Sequence, residues 1–121
     1  MSEVLRGLSE SAFDVLDVHV LRVAQIATAV SLGDLVVPNA AYDPANPLHS
    51  FVRHYRNACA HGDRWEFRRD SLDRGARFMD IEVGYSMNGS RATNSVSPLR
   101  HVQLLQAVSD EFGPPARPAA R

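Results

Sequence analysis

The sequence predicts an α+β domain that is mainly helical, with a small antiparallel hairpin or meander between its second and its last helix. Apolar residues recur with helical spacing in three segments, at 9–32, 48–61 and 98–112. Between residues 65 and 87 they instead alternate with polar residues, as in half-buried strands. A chain of 121 residues suits one hydrophobic core. We therefore expect a single domain over 1–112 and a flexible tail of Pro, Ala and Arg over 113–121.

The first helix is predicted over residues 9–32, with Ser9 or Ser11 as its N-cap and Gly33 as its stop. Polar residues form a narrow stripe along it, and apolar residues share a wide arc on the opposite side. An arc this wide predicts burial on more than one side, including against a second subunit. His19 lies inside the arc, where a hydrogen-bonded core or interface histidine is commoner than a catalytic one.

The second helix is predicted over residues 48–61. The preceding segment, 33–47, is dense in turn formers and should be a loop, and Pro47 suits the first turn of the helix. Six residues give the helix one buried apolar face: Leu48, Phe51, Val52, Tyr55, Ala58 and Cys59. On this reading Cys59 is a packed thiol, and Gly62 ends the helix.

Alternating residues predict two strands after Gly62, at 65–67 and 79–87, joined through 70–76. The turn dipeptide Asn88-Gly89 leads into a predicted short third strand near 92–96. Trp65 is expected in the core rather than on an RNA-stacking surface.

The last helix is predicted from the pair Ser97-Pro98, an N-cap followed by a proline at the first helical position. An apolar stripe then continues to Phe112 through Leu99, Val102, Leu105 and Val108. This helix is the last element of the predicted domain.

Composition and charge argue against a strongly basic nucleic-acid binder, a disulfide-bonded domain, a secreted protein and a membrane protein. The formal net charge is −1, so the chain has no bulk attraction to nucleic acid, and any phosphate binding must come from local clustering of its arginines. Cys59 is the sole cysteine, which rules out an intrachain disulfide. The first residues do not resemble a signal peptide, and charged residues interrupt the most apolar stretch. We expect a cytoplasmic protein that does not insert into a membrane.

The second helix places polar residues opposite its apolar face, among them Arg53, His54, Asn57 and His61, with Arg56 at the edge. The stem of Arg56 is long enough to reach toward His61, and Asn57 lies one turn before that histidine. Arg53, His54 and Arg64 form a candidate RNA-binding set; the alternative for these three is an ordinary solvated face.

The set Arg56, Asn57 and His61 suits cleavage of RNA without a metal or another cofactor. An arginine fork can hold a phosphate and stabilise the charge of the transition state, and histidine exchanges protons near neutral pH. Because the RNA 2′-hydroxyl is an internal nucleophile, positioning and proton transfer are sufficient. The expected products are a 2′,3′-cyclic phosphate and a 5′-hydroxyl.

The string Arg56-Asn57-Ala58-Cys59-Ala60-His61-Gly62 resembles the signature of the HEPN superfamily of small helical domains, many of which are RNA-cleaving toxins or defence nucleases. The resemblance implies a homodimer in which Arg56, Asn57 and His61 of two protomers form a paired site in a cleft. The predicted strands depart from a purely helical bundle and look like an insertion. One branch of the family has a modified tyrosine two residues after the histidine; this chain has Asp63, so regulation would need another antitoxin or partner protein.

Three interpretations stay open from sequence. The first is a HEPN-type endoribonuclease, and the second is a HEPN-like module that binds RNA or a partner without catalysis. The third is an unrelated α+β domain, in which His61 interacts with the dipole at the helix C-terminus and Arg56 pairs with a carboxylate.

Overall fold

Four helices and one two-stranded sheet form the part of the chain described by the computed structural model, which covers residues 3–67 and 75–113, with side chains from residue 17 onward in those ranges. The helices are α1 (Glu3–Val36), α2 (Pro47–Ala60), α3 (Ala92–Ser95) and α4 (Pro98–Phe112). The strands are β1 (Arg77–Phe78) and β2 (Ile81–Glu82). The predicted fold class, mainly helical with a small antiparallel sheet between the second and last helices, is confirmed. Residues 114–121 of the predicted tail lie outside the described residues.

Helix α1 is longer than predicted at both ends. It begins at Glu3, so Ser9 and Ser11 lie within it, because the residues before them are compatible with helix and extend it. It also continues through Gly33 to Val36. A methyl group at position 33 would overlap Cβ and Cγ of Arg56 on α2. Gly33 therefore marks the place where α1 and α2 approach closely, and not the end of a helix.

Helices α2 and α4 begin and end within one residue of the predicted boundaries. The Asn46 side chain accepts hydrogen bonds from the backbone N–H groups of residues 48 and 49, and Pro47 occupies the first turn. At the other end of α2, Gly62 has φ +82°, the left-handed conformation that glycine adopts readily after a helix. Helix α4 starts after Ser97, whose hydroxyl accepts from Arg100 N at 3.2 Å. Local sequence signals determine these ends.

The predicted strands are largely wrong. The hairpin reverses at Met79–Asp80, inside the segment predicted as a long strand. Among the described residues, the paired strands are Arg77–Phe78 and Ile81–Glu82, with one isolated bridge between Arg64 and Arg91. Residues 65–67 form no ladder, and residues 92–96 form the short helix α3 with its C-cap rather than a third strand. The alternating side chains are buried singly, as for Trp65 and Val83. Near these two residues the backbone makes isolated cross-segment hydrogen bonds, from Trp65 N to Ser90 O and from Val83 N to Ala76 O, and no continuous ladder. The predicted connection lies mostly outside the described residues.

The core is built on the apolar face of α2. Phe51 lies 5.9 Å from Tyr55, 6.4 Å from Trp65 and 6.0 Å from Phe78 between ring centroids, an aromatic cluster that joins the helix to the irregular segment and the hairpin. Cys59 is buried on the same face, as predicted. Helices α1 and α2 share the largest interface between elements.

Part of the apolar arc of α1 faces solvent in the single chain. Val20 is 55% exposed and Val23 is 66% exposed, and His19 is exposed beside them. Of the two predicted environments of His19, core or interface, the core is wrong because the residue is exposed, and an interface position stays a prediction. Although α1 is long enough, no helix among the described residues is apolar enough along its length to cross a bilayer.

A buried polar network links α1, α2 and α4 through His101. Its Nδ1 lies 2.9 Å from the Tyr55 hydroxyl, and its Nε2 lies 2.6 Å from the Thr28 hydroxyl, which donates to the Ala24 carbonyl. Gln25 donates to the Tyr55 oxygen at 2.8 Å. If His101 is neutral, the donors and acceptors of this network are matched: Nε2–H donates to the Thr28 hydroxyl, and Nδ1 accepts from the Tyr55 hydroxyl. Burial lowers the pKa of His101 and raises that of Tyr55.

Acid should destabilise the fold through His101. Because its pKa is lower in the folded state, the unfolded chain takes up a proton first, and stability falls as pH drops below about 6.5, the ordinary histidine value. This one group can contribute a slope of at most about 1.4 kcal/mol per pH unit. Urea unfolding between about pH 7.5 and 5 should therefore show a shallower loss for His101→Asn than for the wild type. If stability falls equally steeply with pH in the variant and the wild type, His101 is not the group responsible, whatever the absolute stability of the variant.

Candidate functional site

The candidate site lies where the C-terminal half of α2 faces the end of α1. Gly33 lets the Arg56 stem lie directly against the α1 backbone, and this contact fixes where the side chain leaves the helix. Asn57 follows on α2 and is half-buried. The apolar face of α2 is held in the aromatic core, so the helix presents these polar residues from a rigid support.

The guanidinium of Arg56 is held by two side chains. Its Nε donates to Asp34 Oδ1 at 3.1 Å, and its Nη1 donates to Asn57 Oδ1 at 3.4 Å. Asp34 is exposed and the Arg56 side chain is 30% exposed, so the ion pair is of the surface type, which contributes about 0–1 kcal/mol. Arginine has five N–H donors, and a phosphate could therefore be bound in addition to these partners or in competition with Asp34.

His61 is the C-cap residue of α2. Its backbone N–H donates to Asn57 O at 3.1 Å and Ala58 O at 3.3 Å, while its imidazole is exposed. It stands five residues beyond Arg56, or about 7.5 Å along the helix axis. The Arg56 guanidinium is held by Asp34 and Asn57, and the reach of its stem toward His61 stays a prediction.

The turn after His61 is anchored by Asp63. This residue has φ +60°, a left-handed conformation that aspartate tolerates better than most residues, and its carboxylate is buried. Its two oxygens accept from the backbone N–H and the hydroxyl of Thr93, at 2.9 and 2.6 Å. Asp63 therefore ties the end of α2 to α3 and holds the backbone next to His61 in place.

The three candidate RNA-binding residues have different environments. His54 is only 8% exposed, and its ring centroid lies 5.5 Å from that of Phe67 in an edge-to-face contact, so the prediction that it lies on an exposed polar face is wrong. Phe67 contacts a position that the helical pattern alone places outside. Arg64 is exposed and donates to the Gly89 carbonyl at 2.8 Å. Arg53 is half-buried, with Nη2 3.5 Å from His54 Nε2.

A groove of about 410 Å³ runs between the end of α1 and α2; we call it the Arg53 groove. Its lining residues are Gly33, Asp34, Val37, Pro38, Arg53, Arg56 and Asn57. Four of these residues were not predicted at the site: Gly33, Asp34, Val37 and Pro38. Asp34 is 22 positions from Arg56, and no local pattern signals a pairing at that separation.

Cys59 has no catalytic character although it lies within the motif. Burial, with the nearby Asp63 carboxylate, raises the pKa of its thiol to about 12. A thiol of this kind is protonated at neutral pH and is a poor nucleophile. Among the described residues, no group of three or more His, Cys, Asp or Glu side chains is arranged to hold a metal ion.

Comparison of the chain with protein-family models, with curated proteins and with solved structures gives no match. A functional assignment therefore depends on the residues and their geometry.

Proposed function

We propose that this protein is a metal-independent endoribonuclease of HEPN type, acting as a toxin or defence nuclease in the form of a homodimer. The observation that carries the proposal is the placement of the motif. Arg56 and Asn57 line a groove, and His61 is exposed at the end of the same rigidly packed helix. The residues with the required chemistry thus share one solvent-accessible end of α2.

In the proposed reaction, the RNA 2′-hydroxyl loses its proton and attacks the adjacent phosphorus. The new O2′–P bond forms as the P–O5′ bond breaks, and the leaving 5′ oxygen takes up a proton. One imidazole accepts the first proton, and a second, His61 of the partner subunit, donates the other. Arg56 binds the phosphate oxygens and stabilises the added negative charge, and Asn57 orients the guanidinium.

The uncovered part of the α1 arc supports a dimer. Val20 and Val23 are exposed, and Ala24 and Ala27 line a shallow apolar depression of about 330 Å³ with them. A second copy of the chain packed on this strip would remove apolar surface from water. A dimer would also supply the second imidazole that the reaction requires.

A non-catalytic binding module is the second candidate function. The ion pair between Arg56 and Asp34 favours it, because a guanidinium held by a carboxylate is less available to a scissile phosphate. Pairing of Arg56 with a carboxylate is also what the third interpretation, an unrelated α+β domain, predicts. Such a module would bind RNA or a partner protein without turnover.

Arg56→Ala, with Arg100→Ala as a matched control, tests the proposal. Both arginines donate through Nε to an aspartate Oδ1, at 3.1 and 3.0 Å, and their side chains are 30% and 31% exposed. Arg56→Ala should lower RNA cleavage by about 10²-fold or more, as expected for a lost transition-state donor. Arg100→Ala should cleave like the wild type.

The assay should follow total RNA with a chelator present and identify the ends of the products. A 2′,3′-cyclic phosphate and a 5′-hydroxyl are expected. Cleavage that is unchanged in Arg56→Ala would refute the assignment of Arg56. RNA binding by the wild type without any cleavage would favour the non-catalytic module.

A further inference from the structure

The Arg53 groove extends the proposed site in one direction along α2. Arg53 lies one turn before Arg56, about 4.5 Å along the axis, and His61 lies beyond Arg56 on the other side. The groove volume of about 410 Å³ falls within the range of about 300–1,000 Å³ typical of small-ligand sites. The groove therefore includes Arg56 and Asn57 of the candidate reaction centre and extends from them to Arg53.

One wall of the groove suits a phosphate. Arg53 and Arg56 are three residues apart, so both side chains leave the same side of α2. Their planar forks match phosphate oxygens, and Asn57 adds an amide to the same wall. Asp34 is the one carboxylate among the lining residues of the groove.

The other wall suits the face of a nucleobase. Val37 and Pro38 follow directly after α1 and give this side an apolar surface. The backbone of these two residues needs little ordering when a ligand binds, because Val37 N donates to Gly33 O at 2.9 Å and proline fixes its own φ angle. Apolar side chains of this kind commonly contact the flat faces of bound bases.

We infer that the Arg53 groove binds the nucleotide next to the scissile phosphate of an RNA strand, with its phosphate on Arg53 and its base against Val37 and Pro38. The inference rests on the proposed ribonuclease function, since it takes Arg56 and His61 as the reaction centre. It assigns to this chain a substrate subsite that makes the site at least two nucleotides long. A strand bound this way lies along α2, from Arg53 past Arg56 to His61.

The test measures binding of an oligonucleotide that cannot be cleaved, a single strand methylated at every 2′ oxygen. Arg53→Gln should weaken its binding on the order of tenfold and lower the slope of log affinity against log salt by about 0.7, the value for one lost phosphate contact on a single strand. Arg100→Gln, on α4, is the control and should leave both quantities unchanged. Val37→Ser should weaken binding without changing the salt slope, because it removes apolar contact and no charge.

Thermal unfolding of each variant separates loss of binding from loss of fold, and Arg53→Lys, which keeps the charge, should retain most of the salt slope. A folded Arg53→Gln variant that binds like the wild type would overturn the inference, and cleavage by that variant would leave the ribonuclease proposal intact. Binding through Arg53 in a protein that never cleaves RNA would support the groove and reject the ribonuclease. A wild-type protein that neither binds nor cleaves would reject both.

Discussion

Replacing His61 by alanine is expected to lower RNA cleavage by about 10²–10⁴-fold, the usual contribution of a general acid or base. The imidazole is exposed, and α2 uses only the backbone N–H of this residue, which alanine keeps. The fold should therefore be unaffected. Single-turnover cleavage rates measure the first effect, and circular dichroism with a thermal melt measures the second. A folded His61→Ala variant with wild-type activity would remove histidine from the mechanism.

A mixed dimer shows whether the site is shared between protomers. Arg56→Ala and His61→Ala should each cleave only weakly alone. When the two variants are expressed together, a shared cleft keeps one Arg56 and one His61 from different chains, so cleavage should rise above that of either variant; it should stay below the wild type because one of the two imidazoles is missing. If each chain forms a complete site by itself, no chain in the mixture holds both residues, and cleavage stays at the level of the single variants. Restoration thus distinguishes a shared cleft from two independent sites.

The parts of the site that sequence predicted are those governed by local signals. Pro47 and Gly62 determine where α2 begins and ends, and its apolar spacing determines which face is buried. These features place Arg56, Asn57 and His61 at the solvent-accessible end of a helix without knowledge of any other element. The Ser97-Pro98 pair defines the start of α4 in the same way.

The parts that sequence missed depend on contacts between distant segments. His54 has the helical position of a surface residue, yet Phe67 covers it from 13 positions away. Residues 92–96 have strand-like spacing, but the buried Asp63 carboxylate binds the N–H of Thr93 and favours a helical turn. Asp34 meets Arg56 only after α1 and α2 have packed. Local propensity includes none of these interactions.

Gly33→Ala is expected to destabilise the protein, although alanine is the better helix former. In a helix interior the substitution alone should stabilise by about 1 kcal/mol. Here the new methyl group would overlap Cβ and Cγ of Arg56, atoms near the α2 backbone that a change of rotamer cannot remove completely. Overpacking of this kind costs typically about 1–3 kcal/mol, so the net effect should be a loss of stability. Urea unfolding measures it.

The same substitution should also reduce cleavage. Separating α1 from α2 moves the Arg56 guanidinium away from Asp34 and out of its place in the groove, and a shift of about 1 Å at a reacting group can cost about 10²-fold in rate. Ser31→Ala is the matched control, because it lies exposed on the same helix and adds no contact with α2. It should be neutral or slightly stabilising, with full activity. A Gly33→Ala protein that is more stable than the wild type would show that the helices do not approach closely here.

A double-mutant cycle separates the clash from the intrinsic effects of the residues. Arg56→Gly removes both atoms that a methyl group at position 33 would overlap, so Gly33→Ala should lose most of its cost in that background and regain its helix-forming advantage. The free energy of coupling should then be of the order of the overpacking cost, about 1–3 kcal/mol. Additive effects would mean that the two positions do not touch. Coupling of this sign would instead show that Gly33, which local sequence rules treat as a helix stop, is the contact point that positions Arg56.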